Sequence, residues 1–212
     1  MEQELLKINS ELCELVGAFI GDGYLSKYGK NGIVVGLTGN AILDEEYLKI
    51  HLVSIVKRHF PSAKPSFSYR KDENTLQVRF YSKKLAQFLL SLGFMPGIKT
   101  RTVKIPSIIE QDKQLLYATI RGIFDTDGCL FFDNRKKYEK PYPRITIQVA
   151  SIALIIQLEK HLSSEFSLYV DKSNRDGKRN TLEIYGHEQL ERFLKQIGFS
   201  NKRHMSKVAL VA

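Results

Sequence analysis

Two carboxylates stand out as residues that could do chemistry. Asp22 lies near the end of the segment LVGAFIGDG (15–23), and Asp127 near the end of IRGIFDTDG (120–128). Each follows an apolar, helix-like stretch with small residues four apart: Gly17 and Gly21 in one, Gly122 and Thr126 in the other. Small residues one turn apart let two helix backbones approach closely. If these helices pack on each other, Asp22 and Asp127 come side by side at two helix C-termini. Each carboxylate then faces the negative end of a helix dipole as well as its twin. Divalent cations between the acids relieve both penalties, and oxygen-only ligation with retained waters suits Mg2+. Metal ions held over a phosphodiester activate water and stabilise the leaving oxygen of an in-line displacement. One Asp-Gly after an apolar run is ordinarily a turn; two in matching positions call for another explanation.

That explanation is a duplication. Gly17, Phe19, Asp22 and Gly23 recur as Gly122, Phe124, Asp127 and Gly128, a shift of 105 (127 − 22). Leu85, Phe88, Leu89, Gly93 and Phe94 recur as Leu190, Phe193, Leu194, Gly198 and Phe199, again shifted by 105 (193 − 88). Between them, Asn74–Val78 matches Asn180–Ile184 at a shift of 106 (180 − 74), which places Arg79 opposite Tyr185 in the repeat alignment. Shared displacement over separated blocks marks two related halves. They are read as 1–98 and 112–212, joined by a basic, Pro-bounded connection over 99–111.

Each half carries the same expected elements. A helix spans about Asn9–Gly21, repeated over Asp112–Thr126. A strand pair follows, near 24–26 with 33–38 and near 129–133 with 144–150. A helix opened by Asp44 comes next, with Ser151–Leu162 as its counterpart. A second hairpin covers 66–70 with 75–81, repeated as 168–172 with 181–185. A last helix covers Lys83–Leu92, repeated as Glu188–Ile197, each ending in a Gly-Phe stop signal. The unit is αββαββα. In 75–81 the apolar Leu76, Val78 and Phe80 alternate with polar groups, and Ile145, Ile147 and Val149 do the same in the second half. One face packs on helices. The other carries Arg, Gln and Tyr suited to base edges, although an ordinary half-solvated sheet has the same alternation.

Composition agrees with a polyanion partner. The 212 residues hold 32 Lys+Arg against 23 Asp+Glu, a net charge of +9. That surplus favours nucleic acid, with a merely basic surface as the alternative. Two cysteines and five scattered histidines show no zinc spacing. No signal pattern or membrane-length apolar run appears, so the expectation is a reduced, intracellular, soluble protein.

The paired segments, the αββαββα repeat and the basic connection resemble the LAGLIDADG homing endonucleases in their monomeric, two-motif form, over nearly the whole chain. The resemblance implies an α+β fold: two antiparallel four-stranded sheets forming a pseudo-twofold saddle on DNA. It also implies cleavage of both strands across the minor groove with Mg2+, for which Mn2+ substitutes. Asp22 and Asp127 fall at the family's metal-binding position, with the carbonyls of Gly21 and Thr126 as auxiliary ligands. Ile20 stands where the family commonly has a further acid, as the second motif does at Asp125. A basic residue after each last helix, Lys99 and Lys202, resembles the family's active-site lysine, although a phosphate-gripping role fits these lysines equally.

The expected base readers are Arg70, Gln77, Arg79, Tyr81, Arg144, Thr146, Gln148, Lys172, Glu183 and Tyr185. The basic tips 27–31, 135–140 and 174–179 are expected at phosphates or outer bases. Strands of ~8 residues cover ~26 Å, so two sheets end to end reach roughly 15–20 base pairs. The target is expected to be asymmetric, the protein a monomer without an obligate protein partner. The expected location is the cytoplasm or nucleoid, or an organelle if intron-encoded there. The alternative on the same scaffold is an intron maturase or a DNA-binding regulator, against which the retention of both acids counts.

Overall fold

The computed structural model describes residues 7–29, 32–97, 101–136, 138–172 and 180–209. Helix α1 (Ser10–Asp22) starts at Asn9, whose Oδ1 accepts the Leu12 amide at 3.0 Å. Its counterpart α5 (Lys113–Thr126) starts at Asp112, whose Oδ1 accepts the amides of Gln114 and Leu115. These caps satisfy amides that would otherwise lack partners in the first turn. Both helices are buried along most of their length and lie against each other as the most extensively packed helix pair in the molecule.

Each motif helix leads directly into a sheet. β1 (Gly23–Tyr28), β2 (Gly32–Asn40), β3 (Pro65–Arg70) and β4 (Thr75–Phe80) form an antiparallel sheet in the order β1-β2-β4-β3. β5 (Gly128–Asp133), β6 (Tyr142–Val149), β7 (Leu168–Asp171) and β8 (Asn180–Tyr185) repeat it as β5-β6-β8-β7. Leu76, Val78 and Phe80, and likewise Ile145 and Ile147, are fully buried under the helices, as their alternation predicts. The covering helices are α2 (Val53–His59), entered through a π-helical stretch at Tyr47–Leu52, and α3 (Lys83–Ser91) in the first half. In the second they are α6 (Ile152–Leu162) and α7 (His187–Gln196). Gly93 and Gly198 follow the last helices with φ of 89° and 72°, the left-handed stop signal. Phe19 meets Phe94 edge-on at 5.0 Å, and Phe124 meets Phe193 at 5.4 Å, so each motif helix is pinned to the end of its own half.

Three features depart from the sequence expectation. First, Leu37 and Ile147 are equivalent, since they pair with Gly23 and Gly128; across the next ladder they face Val78 and Leu182. The structural shift between β4 and β8 is therefore 104 (182 − 78), not 106. The Asn74–Val78 and Asn180–Ile184 likeness is displaced by two residues, which leaves faces unchanged because side chains alternate with period two. Arg79 thus corresponds to Glu183, and Tyr81 to Tyr185. Second, two further helices appear, α4 (Ser107–Glu110) and α8 (Lys202–Ala209). The connection preceding α4 is packed, with Ile105 buried and its amide and carbonyl both bonded to the Gln157 side chain of α6. Third, Asp44 does not serve a helix dipole from solvent. It is 5% exposed and turned inward, because partners from the second half await it there.

Candidate active site

The helix pair α1/α5 is held at backbone contact. A Cβ placed on Gly17 would lie 2.0 Å from the Thr119 carbonyl oxygen, and one on Gly122 would lie 2.1 Å from that of Glu14. Only glycine permits this approach, since any side chain would have to displace main chain. Further along the pair, a Cβ on Gly21 would meet Thr126 Oγ1 at 2.1 Å and Asp127 Oδ2 at 3.3 Å. The carboxylate of the second motif therefore lies against the residue preceding Asp22. Gly17, Gly21, Gly122 and Thr126, picked out by spacing, are all at the interface, and the two motif ends meet.

Around these ends the donors are oxygens. The Thr38 hydroxyl donates to the Asp22 carbonyl at 3.2 Å, and Thr126 Oγ1 turns back onto the Gly122 carbonyl at 2.9 Å. Among the described residues no three His, Cys, Asp or Glu side chains cluster as a metal site. A cation here would be held by two carboxylates, helix-terminal carbonyls and water, a set suited to a hard ion such as Mg2+.

The second motif end is embedded in a network that the sequence did not disclose. Asp125 is completely buried and accepts the amides of Ser200 at 3.0 Å and Asn201 at 2.9 Å. Burial pushes its pKa up to about 7, with those two amides pulling the other way. Its place in the motif is thus explained by anchoring the chain after α7; the first half has the buried Ile20 there. Asn201 Nδ2 donates to Asp44 Oδ1 at 2.8 Å and to the Asp125 carbonyl at 3.1 Å. Arg203 pairs with Asp44 at 3.0 Å and reaches the carbonyls of Asp125, Thr126 and Gly128. Lys202 instead extends to Glu46 at 2.6 Å and is 74% exposed. Lys99 lies outside the described residues. One sequence signal points to Arg203: α5 has no basic residue in its last turn, so its negative end calls for a cation from elsewhere.

A second tie between the halves runs through Glu14, which is 4% exposed on α1. It bonds His51 Nε2 at 2.6 Å and Arg121 Nη1 of α5 at 3.3 Å. Burial pushes the Glu14 carboxyl up, but His51 and Arg121 outweigh it and hold it below its ordinary value. His51 is raised in turn, chiefly by its bond to Glu14.

Most of the expected base readers fall on the open sheet faces. In the first sheet Arg79 donates to Gln77 Oε1, with Tyr24 and Tyr81 also stabilising its charge. Tyr81 lies just beyond β4, edge-on to Tyr28 at 5.1 Å. Arg70, exposed at the end of β3, reaches Glu73 at 3.3 Å. In the second sheet Arg144 pairs with Glu183 and with Asp133 at 3.2 Å, and donates to the Tyr138 hydroxyl at 3.1 Å. Arg135 and Arg144 hold the Asp133 carboxyl well below the usual range. Thr146 faces Glu183 across the ladder, Gln148 faces Thr181, and Tyr185 faces Arg144. Tyr138, Tyr142, Tyr169 and Tyr185 surround Arg144 and Glu183 in a concavity of about 350 Å³. Lys172 departs from expectation: it follows β7 and pairs with Glu159 of α6, towards the helix layer rather than the open face. Tip residues 30, 31, 137 and 173–179 lie outside the described residues.

Comparisons with known proteins agree with this geometry. Residues 114–198 match the model of the LAGLIDADG-like domain. The chain is similar to the replication factor C small subunit of Methanocaldococcus jannaschii, 27% identical over 200 residues, 94% of this chain and 10% of that protein. It thus spans about a tenth of that relative's length. Among solved structures it resembles I-DmoI in complex with DNA and Mn at a TM-score of 0.64 and 19% identity, covering 90% of this chain and 97% of that one. It also resembles the homing endonuclease I-WcaI bound to its DNA recognition sequence, at a TM-score of 0.58 and 16% identity, covering 93% and 85%. No helix among the described residues is long and apolar enough to cross a membrane.

Proposed function

We propose that this chain, whose residues 114–198 match the LAGLIDADG-like domain, is a member of that family in its single-chain, two-repeat form and a site-specific endonuclease. It hydrolyses both strands of a long, asymmetric DNA target of roughly 15–20 base pairs across the minor groove. The observation that carries this reading is the crossing at Gly17 and Gly122, which brings Asp127 Oδ2 against Gly21 and so joins the two motif ends. Asp22 and Asp127 would hold divalent cations, Mg2+ with Mn2+ able to substitute, together with the Gly21 carbonyl and the remaining lone pair of the Thr126 carbonyl, whose other lone pair accepts from Arg203. Bound there, the metal supplies an activated water and stabilises the leaving oxygen.

The chain's own contribution is position. The helix pair fixes the separation of the acids, and the two sheets set the phosphodiester over them. Lys202, and Lys99 in the first half, would offer charge to the scissile phosphates. Arg79, Gln77 and Tyr81 on one sheet, and Arg144, Thr146, Gln148, Glu183 and Tyr185 on the other, would meet base edges. The protein works as a monomer, since both halves of the site are in one chain. A maturase or regulator on this scaffold has no need of two adjoining carboxylates that repel each other without metal.

Asp22→Asn and Asp127→Asn test the assignment. Each is expected to abolish double-strand cleavage of target plasmid with Mg2+ while binding the target within a few-fold of the parent. Linearisation at the parental rate by either variant would overturn the two-carboxylate site.

A further inference from the structure

We infer that Arg203 is a positioning residue for the second motif, holding the Thr126 carbonyl and offsetting charge beside Asp127 so that cleavage of one strand depends on it. This rests on the reading of Asp22 and Asp127 as the metal-binding pair. The guanidinium comes from the first turn of α8 and reaches the C-terminal end of α5. There Nη2 donates to the carbonyls of Asp125 at 3.1 Å, Thr126 at 2.5 Å and Gly128 at 3.3 Å. The C-terminus of a helix carries partial negative charge on its unpartnered carbonyls, and this fork covers them. Nη1 is fixed by Asp44 of the other half at 3.0 Å, and Nε donates to His204 Nε2 at 3.0 Å. Burial, with Arg203 and Lys207 alongside, pushes the His204 imidazole down to about 3, so it stays neutral and able to accept.

With each of its three nitrogens engaged and its side chain 18% exposed, the guanidinium is immobile. It is also one peptide away from Asp127. Two consequences follow. The Thr126 peptide, and with it the Asp127 backbone, is held in one orientation by a partner that spans both halves of the molecule. The positive charge lessens the repulsion between the paired acids before metal arrives, and it weakens cation binding at the second motif end. Lys202, the neighbour in sequence, does neither, because its ammonium lies on Glu46.

Arg203→Met and Arg203→Lys separate these roles. Wild-type protein is measured alongside on supercoiled plasmid, on duplexes labelled on either strand, and by Mn2+ titration of the protein–DNA complex followed by the paramagnetic resonance of free Mn2+. In Arg203→Met one strand is expected to be cut at least about tenfold more slowly and the other within twofold, so nicked circle accumulates. Its Mn2+ midpoint falls about tenfold, the effect of losing one unit charge roughly 6 Å from a dication at the dielectric of water. In Arg203→Lys the midpoint stays at the wild-type value while the same strand still slows, because charge is kept and the fork is lost.

A residue that merely stabilises the fold would slow both strands together and leave the midpoint alone; that result overturns the proposal. Unchanged strand rates in both variants overturn it as well. If Arg203→Met shows no melting transition, Arg203→Lys decides, with equal slowing of the strands as the refuting outcome. Failure of the wild type to cut either strand would instead refute the endonuclease reading, with the Mn2+ midpoints still reporting on Arg203.

Discussion

Replacing Gly17 by alanine tests the helix crossing on which the site depends. The added methyl would lie 2.0 Å from the Thr119 carbonyl oxygen, 2.9 Å from its carbon and 3.0 Å from the Gly122 Cα. Ordinary contact begins near 3.4 Å, so the shortest of these is deficient by about 1.4 Å, and every atom it meets belongs to backbone. No rotamer change relieves this; α1 and α5 must move apart by roughly an ångström. Fully buried side chains along the pair, such as Leu12, Val16 and Ile123, then lose contact, and a gap of that size forfeits about a quarter to a half of each dispersion well. Overpacking of this kind costs about 3 kcal/mol, which for a chain of this length lowers Tm by about 6–12 °C.

The effect on chemistry is separate. Because the same movement shifts Asp127 away from Gly21, cleavage should fall about a hundredfold even where the variant remains folded. Circular dichroism melts give the first quantity, and plasmid linearisation at least 15 °C below both melting points gives the second. Gly29→Ala, at φ of 56° with open space around it, is the control; it carries a backbone cost of about 1 kcal/mol and no loss of cleavage. A Gly17→Ala protein that melts within 1 °C of the parent, or one that is destabilised but cuts at full rate, would refute the reasoning.

Other expectations follow from the charged ties. His51, raised by Glu14, contributes stability that is complete below its unfolded pKa near 6.5 and is lost as pH rises through the higher folded value. Glu14, lowered, contributes stability present above about 4.5 and lost as pH falls through its folded value. The Tm difference between the parent and His51→Gln is therefore expected to be largest between about pH 5 and 6.5 and to shrink as pH rises through the raised folded value of His51; a difference that stays constant with pH would count against the pair. The equivalence of Arg79 and Glu183 gives the two sheets opposite charges at one register position. In cleavage selections from randomised DNA, Arg79→Ala should relax a guanine preference in one half of the target by about 1–3 kcal/mol, and Glu183→Gln should alter only the other half. Changes spread over both halves would rule out that assignment. Target binding measured in chelator should weaken with salt at about 0.9 log units per phosphate contact, and a flat dependence would argue against a phosphate-gripping surface.

How much of this was legible in the sequence follows from what each signal is made of. The duplication, the two acids and the small residues behind them were readable because helical spacing and Asp-Gly endings are local. So were the helix starts near Asn9 and Asp112, the glycine stops at Gly93 and Gly198, and the buried alternation of β4 and β6. Pairing across a sheet is not local. The likeness of Asn74–Val78 to Asn180–Ile184 suggested a shift of 106, and the ladder sets 104, because a two-residue slip preserves every buried face and leaves no trace in hydrophobic pattern. The same limit hid the partner of Asp44, which as a sequence feature opens a helix and in the fold binds Asn201 and Arg203 from the other half. Lys172 was expected among the base readers, yet it continues the Leu168 and Val170 side of β7, which pairs with the buried Ile184 and Leu182, and so it meets Glu159 of α6. The sequence by itself thus determined that two carboxylates stand at two matched helix ends. Only the tertiary structure decided what surrounds them, because a guanidinium finds a helix end through space, whatever the distance along the chain.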